Sequence, residues 1–160
     1  MLDQLGGGVS QTGDGGEDWY DDGYDDESDY VTRDDGNTDL YDVAVGMCID
    51  EEDLFGEDYF ASVDVVDCAQ PHYAELYSVF DVAVGELEYP GDDEVWELAD
   101  AGCVEDFGEY VGVSWEKSDF DYYYFYPSKE NWDVGDHEVM CLAVDINFEP
   151  YTGSVRNGEI

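Results

Sequence analysis

Positive charge is almost missing from this chain: four Lys and Arg stand against 44 Asp and Glu in 160 residues, a formal charge of −40. A surface of that sign repels phosphate, which excludes nucleic acid and anionic lipid as partners and leaves a cationic partner open. After Arg33 only Lys117, Lys129 and Arg156 remain, so most carboxylates have no ion-pair partner and depend on screening by salt. The Debye length falls from about 8 Å at physiological ionic strength to about 3 Å at 1 M, enough to uncouple neighbouring carboxylates. Adaptation to a saline medium is therefore expected, with a generally acidic extracellular protein as the plainer account.

Long apolar runs are missing too. No stretch approaches the roughly 20 residues of a membrane span, and Met1-Leu-Asp-Gln-Leu-Gly-Gly-Gly8 has neither the basic start nor the apolar stretch of a secretion signal. The first forty residues contain no cysteine; Cys48, Cys68, Cys103 and Cys141 all come later, separated by 20, 35 and 38 positions. Structural zinc needs close pairs such as C-x2-C, so no metal site is expected, whereas an even number of cysteines in a small domain fits two disulfides and an oxidising compartment. Of the three connectivities, Cys48–Cys68 with Cys103–Cys141 is favoured, each loop being worth about 3–4 kcal/mol, although the spacing leaves the others open. An oxidised chain without a visible leader implies a signal peptide or membrane anchor ahead of this segment in the full gene product.

The usual catalytic signatures are absent as well: there is no phosphate-cradling glycine loop and no Gly-x-Ser-x-Gly elbow. Acidic clusters such as Asp50-Glu-Glu-Asp53 invite calcium, yet none satisfies the D-x-[DN]-x-[DN]-G-x5-E loop. Weak, delocalised cation binding and no cofactor are the expectation.

What is present divides the chain in three. Residues 1–40 are rich in Gly, Asp and Tyr, as in Asp18-Trp-Tyr-Asp-Asp-Gly-Tyr-Asp-Asp-Glu27, and bury too little apolar surface to offset chain entropy; they read as a disordered, self-repelling acidic tether. Residues 41–156 carry the periodic pattern, and 157–160 form a tail. Strands are expected at Tyr41–Cys48, Ser62–Cys68, Ala74–Val84, Glu116–Tyr126 and His137–Ile146, by alternation and β-branched content. From Asp92 the period becomes three to four, with Val95, Trp96, Ala99, Cys103 and Phe107 in register and Asp92, Asp93 and Glu94 at the start, which predicts a helix. The fold class is α+β: a small, mainly antiparallel sheet with one covering helix, two disulfides and a disordered acidic N-terminal segment.

Two groups of residues carry chemistry. Cys68-Ala-Gln-Pro-His-Tyr-Ala-Glu75 joins a cysteine to His72 and Glu75, the ingredients of a thiol–imidazole pair or a metal site. A disulfide removes the nucleophile, and the favoured reading has Pro71 fixing a turn whose His72 and Glu75 hydrogen-bond nearby groups. Phe120-Asp-Tyr-Tyr-Tyr-Phe-Tyr126 places Phe120, Tyr122, Tyr124 and Tyr126 on one face of a strand and Tyr123 and Phe125 on the other. One face must be core; the opposite one, with Trp115 or Trp132, is a candidate platform for glycan rings or a protein partner, with packing inside the sheet as the plainer role.

The motifs Asp42-Val-Ala-Val-Gly-Met-Cys48, Val63-Asp-Val-Val-Asp-Cys68, Pro71-His72 with Glu75, Tyr89-Pro-Gly91, Cys103, Tyr110-Val-Gly112, Tyr126-Pro127, Trp132 with Gly135-Asp136, Cys141 and Thr152-Gly-Ser154 occur in one order over about residues 41–156. In that combination the chain resembles the septum formation domain of bacterial, chiefly actinobacterial, envelope proteins. His137 departs from the arginine expected after Gly-Asp, and Met47 from a polar residue. The resemblance implies an exported envelope domain outside a membrane anchor, and brings no enzymatic mechanism with it. The expectation is a non-catalytic extracellular interaction domain whose partner is an envelope protein or cell-wall component. The alternatives are a structural subunit that forms homo-oligomers or a surface assembly, and an enzyme using His72 and Glu75.

Overall fold

The computed structural model describes residues 32–33, 36–56, 59–82, 85 and 88–160. Most of the segment read as a disordered tether lies outside these residues. Strands β1 (Thr32–Arg33) and β2 (Thr38–Asp39) fall before the expected domain start at 41. They are followed by β3 (Cys48–Ile49), β4 (Tyr59–Phe60), β5 (Ser62–Val63), β6 (Val65–Val66), β7 (Ala74–Asp81), helix α1 (Asp92–Val111), β8 (Phe120–Phe125), the short helix α2 (Lys129–Asp133) and β9 (Glu138–Asp145).

The main sheet has five strands in the order β6-β3-β7-β9-β8, every neighbouring pair antiparallel. Two small ladders flank it: β2 with β5, antiparallel, and β1 with β4, the one parallel pair among the described residues. The α+β expectation, with a mainly antiparallel sheet, one main helix and two disulfides, is what the structure shows.

Helix α1 begins after Gly91 and ends at Gly112, whose left-handed φ of 83° lets its N–H close on the Gly108 carbonyl. Its first turn carries Asp92, Asp93 and Glu94 against the positive end of the helix dipole. Val95, Ala99, Cys103, Phe107 and Val111 form a buried row at a spacing of four and lie on the sheet. Trp96, counted with that row from sequence, is 48% exposed because one residue is a 100° step off it. Gly102 sits where the helix presses on the Phe80 ring: a Cβ there would lie 2.3 Å from Cζ.

Both faces of the sheet are covered. On the helix side Val139, Cys141 and Ala143 pack with the α1 row; on the other, Met140, Leu142 and Val144 pack with Ile49, Leu54, Val63 and Leu76. A register shift between Leu76 and Ser78 inserts a bulge in β7. It lets Tyr77, whose hydroxyl donates to the Cys103 carbonyl, and Ser78, which donates to Asp106, both reach α1.

Three expected strands turn out differently. Of Glu116–Tyr126 only Phe120–Phe125 is strand, because Trp115–Lys117 form a 3-10 turn ahead of it. Over Tyr41–Cys48, Leu40–Asp42 form a 3-10 turn capped by the Asp39 side chain on the Tyr41 N–H, and Gly46 at φ 95° reverses the chain, so only Cys48 reaches the sheet from that segment. Ser62–Cys68 splits in two: Ser62–Val63 joins β2, whereas Val65–Val66 joins β3.

Candidate functional site

The first disulfide, Cys48–Cys68, closes the corner that the Cys68–Glu75 segment forms. Cys48 stands opposite Glu75 in the β3–β7 ladder, so the two side chains share the helix-side face. His72 is held by a reciprocal backbone pair with Tyr151, and its ring meets the Tyr151 ring edge-on at 4.3 Å. Cys48, His72 and Glu75 are all fully buried.

Glu75 is the hub of this corner. One carboxylate oxygen accepts from the Tyr110 hydroxyl at 2.6 Å and the Ser154 hydroxyl at 2.8 Å; the other accepts from the Val155 N–H at 2.8 Å. Arg156 lies over the Tyr110 ring, 4.7 Å from its centroid. One buried carboxylate thus ties the C-terminal segment to β7 and to the end of α1. His72 Nδ1 lies 2.8 Å from the Gln70 carbonyl, while Nε2 has no partner among the described residues.

The sequence paired His72 with Glu75 as ordering groups and did not foresee that Tyr110, Ser154 and Val155 converge on Glu75. A signal existed: Tyr110-Val-Gly112 and Thr152-Gly-Ser154 are among the motifs that carry the family resemblance.

The aromatic strand β8 is the outermost strand of its sheet. Tyr122 and Tyr124 stack at 6.0 Å and both donate to Asp100 on α1. Tyr123 packs edge-on against Phe55 on the opposite face. Neither face is bare, because the N-terminal segments cover the side away from the helix. Trp115 remains 37% exposed, with its ring N–H on Asp121, and Tyr126 is 43% exposed. Trp132 is buried, its ring centroid 4.3 Å from that of His137, the residue in the arginine position, with the planes tilted by 54°, and it adds nothing to an outward platform.

Beside the end of β8 lies a cleft of about 60 Å³ between Tyr41, Tyr126, Pro127, Asp136 and Glu138. Tyr41 donates to Asp136, and Glu138 is pushed above the usual carboxylate range by burial, then by the charges of Asp136 and Asp81.

Tyrosine protons are held tightly across the domain. Tyr41, Tyr110 and Tyr122 are pushed up to about 12, by burial first and then by hydrogen bonds to Asp136, Glu75 and Asp100. Burial drives Tyr77 and Tyr151 up further. An unfolded chain titrates its tyrosines near 10, so the stability these protons lend is complete below about pH 10 and is lost as pH rises to about 12 and beyond. An absorbance titration is expected to show a late-ionising set coincident with alkaline unfolding. Ionisation of all tyrosines together near pH 10, with structure intact, contradicts this.

The fold and this corner define a disulfide-clamped α+β domain with a buried polar hub. Residues 35–141 match the septum formation family, and the chain belongs to it. Over 98 residues it is 33% identical to proteins named "Putative lipoprotein LppN" from Mycobacterium bovis and from Mycobacterium tuberculosis, the match covering 59% of this chain and 52% of each relative. The chain therefore spans about half the length of these curated relatives. No solved structure matches. Among the described residues no helix is long and apolar enough to cross a membrane.

Proposed function

We propose that this chain is a non-catalytic interaction domain of the extracellular cell envelope, adapted to saline surroundings and held by an anchor elsewhere in its protein. The observation that carries the reading is the state of the corner: Cys68 is bonded to Cys48, and His72 and Glu75 have no exposed surface. His72 and Glu75 therefore face inward, which supports the non-catalytic reading. Among the aromatic groups facing out, Trp115 and Tyr126 flank β8, and Tyr41 joins Tyr126 at the Asp136 and Glu138 cleft. Aromatic rings beside carboxylates suit a cationic segment of an envelope protein or the rings of a wall glycan. The lipoprotein names of the relatives and the two disulfides support an envelope location.

The test is co-sedimentation with purified wall polymer, and cross-linking to envelope proteins, for the wild-type chain and for Trp115→Ala with Tyr126→Ala. Binding that falls at least about tenfold in the double variant is expected, as for aromatic anchors at an interface. Turnover of the polymer that disappears in His72→Ala would sink the reading. Adaptation to salt is tested separately. Between low and molar NaCl the melting temperature is expected to rise by about 5–10 °C, a few kcal/mol at this size; a flat profile rejects it.

A second reading rests on β8 having no strand on its outer side among the described residues. Edge-to-edge pairing there would make a homo-oligomer or a surface assembly. Light scattering at molar salt, where charge repulsion is screened, decides between a monomer and defined oligomers.

A further inference from the structure

The unassigned chemistry of this fold lies behind its first disulfide. One ligand-type atom each from Cys48, His72 and Glu75 lies within 4.8 Å of the others, and all three residues are buried. Tetrahedral zinc ligands sit about 3.5 Å apart, given bonds of about 2.0–2.3 Å, so a contraction of roughly 1 Å would close the set.

Two features make this more than a neighbourhood. The Gln70 carbonyl can only accept, so its 2.8 Å contact calls for a proton on His72 Nδ1, and in the neutral ring the buried, unpartnered Nε2 is then the lone pair. An imidazole whose other nitrogen donates to a carbonyl is the arrangement found at metal-ligating histidines. Glu75 is likewise oriented by Tyr110, Ser154 and Val155, and these three donors leave one of a carboxylate's roughly four acceptor positions open.

We propose that Cys48, His72 and Glu75 form a latent metal site, uncovered when the Cys48–Cys68 bridge opens, that takes a borderline-soft divalent ion of the zinc type. With the bridge closed Cys48 has no thiolate to offer, and the corner acts as a covalent clamp. Cys68 is partly exposed, whereas Cys103 and Cys141 of the other bridge are fully buried, so a dithiol reductant reaches Cys68 first. Its thiolate attacks Cys68 Sγ and breaks the S–S bond, with Cys48 Sγ as the leaving group. The second thiol of the reductant then releases Cys68, so two electrons pass to the bridge and the reductant ends as its own disulfide. The two cysteine sulfurs take up two protons. Metal binding returns the Cys48 proton to solvent, and the fourth position falls to the Cys68 thiolate, with loss of its proton, or to water.

Cys68→Ser tests this without a reductant, since it leaves Cys48 as a free thiol beside His72 and Glu75. Titrated with Co2+, this variant is expected to bind one equivalent, with a thiolate-to-cobalt charge-transfer band and the strong visible bands of a tetrahedral site. Zn2+ should displace the cobalt and raise the melting temperature. Adding His72→Ala should weaken binding at least about tenfold, and Cys48→Ser with Cys68→Ser should abolish the charge-transfer band. The proposal is overturned by cobalt spectra without that band, which would report only the acidic surface, or by unchanged affinity after His72→Ala. Should Cys68→Ser not fold, the wild-type chain with its first bridge reduced and its second intact, as shown by mass, is read against the same two outcomes.

Discussion

Exchange of Cys103 for alanine together with Cys141 for valine is expected to lower the stability of the domain by about 4 kcal/mol, a drop of roughly 8–16 °C in melting temperature at this size. The bridge joins α1 to β9 across 38 positions and closes a longer loop than Cys48–Cys68, which spans 20. Loop-closure entropy grows only slowly with length, so removing the shorter bridge should cost about 3 kcal/mol. Location widens the difference. Both sulfurs of the longer bridge lie in the middle of the interface between helix and sheet, among Val95, Ala99, Phe107 and Val139, and the alanine leaves a small void there. Hydrogen exchange should show α1 losing protection as a unit while β3 and β6, held by the other bridge, change less. A loss below about 1 kcal/mol in denaturant melts would contradict a chain-entropy account of this staple.

The features that could be read along the chain are those whose cause lies within a few residues. Helix α1 announced itself by its row at a spacing of four, its acidic first turn and Gly112; β7 and β9 did so by apolar content, and their bounds lie within a few residues of expectation. The Tyr41–Cys48 segment misled because its alternation is real but brief, and the Asp39 cap and Gly46 break it. Ser62–Cys68 misled because one apolar run serves two ladders, and nothing local marks the change of partner at Asp64. Helix α2, whose Ser128 side chain accepts from the Asn131 N–H, was missed because five residues carry no period. The candidate corner was half legible. His72 and Glu75 stood out as residue types, but the donors that hold Glu75 lie 35 to 80 positions away, a convergence only the fold creates. On β8, period two assigned the faces, yet it could not say that Phe55 and Leu40 would cover the second one.

Glu75→Leu is the point substitution expected to cost most, about 3–5 kcal/mol, because a side chain of similar size would leave three donors facing hydrocarbon. Those donors differ in what they can do next. The Tyr110 hydroxyl sits on a half-buried ring and can turn toward solvent, whereas the Arg156 guanidinium over that ring only donates and offers its proton no acceptor. The Ser154 hydroxyl can rotate about its own C–O bond and still accept from the Arg156 N–H at 3.1 Å. The Val155 N–H is fixed by the backbone of a residue with 1% exposure and has nowhere to go. Glu75→Gln should cost less, about 1–3 kcal/mol, because one oxygen still accepts while the amide NH2 opposes a donor. Tyr110→Phe should cost about 1 kcal/mol, the ordinary worth of one bond whose acceptor keeps two others. This order, Leu above Gln above Phe, separates a hub from a simple packing site, where volume alone would set the cost and Gln would be the mildest change. Amide exchange gives the local reading: the Val155 amide, and the His72–Tyr151 pair beside it, should lose protection in Glu75→Leu well before β9 does. Uniform loss across the whole domain at the same denaturant concentration would mean that Glu75 stabilises the fold globally and does not act as the clasp of its C-terminal segment.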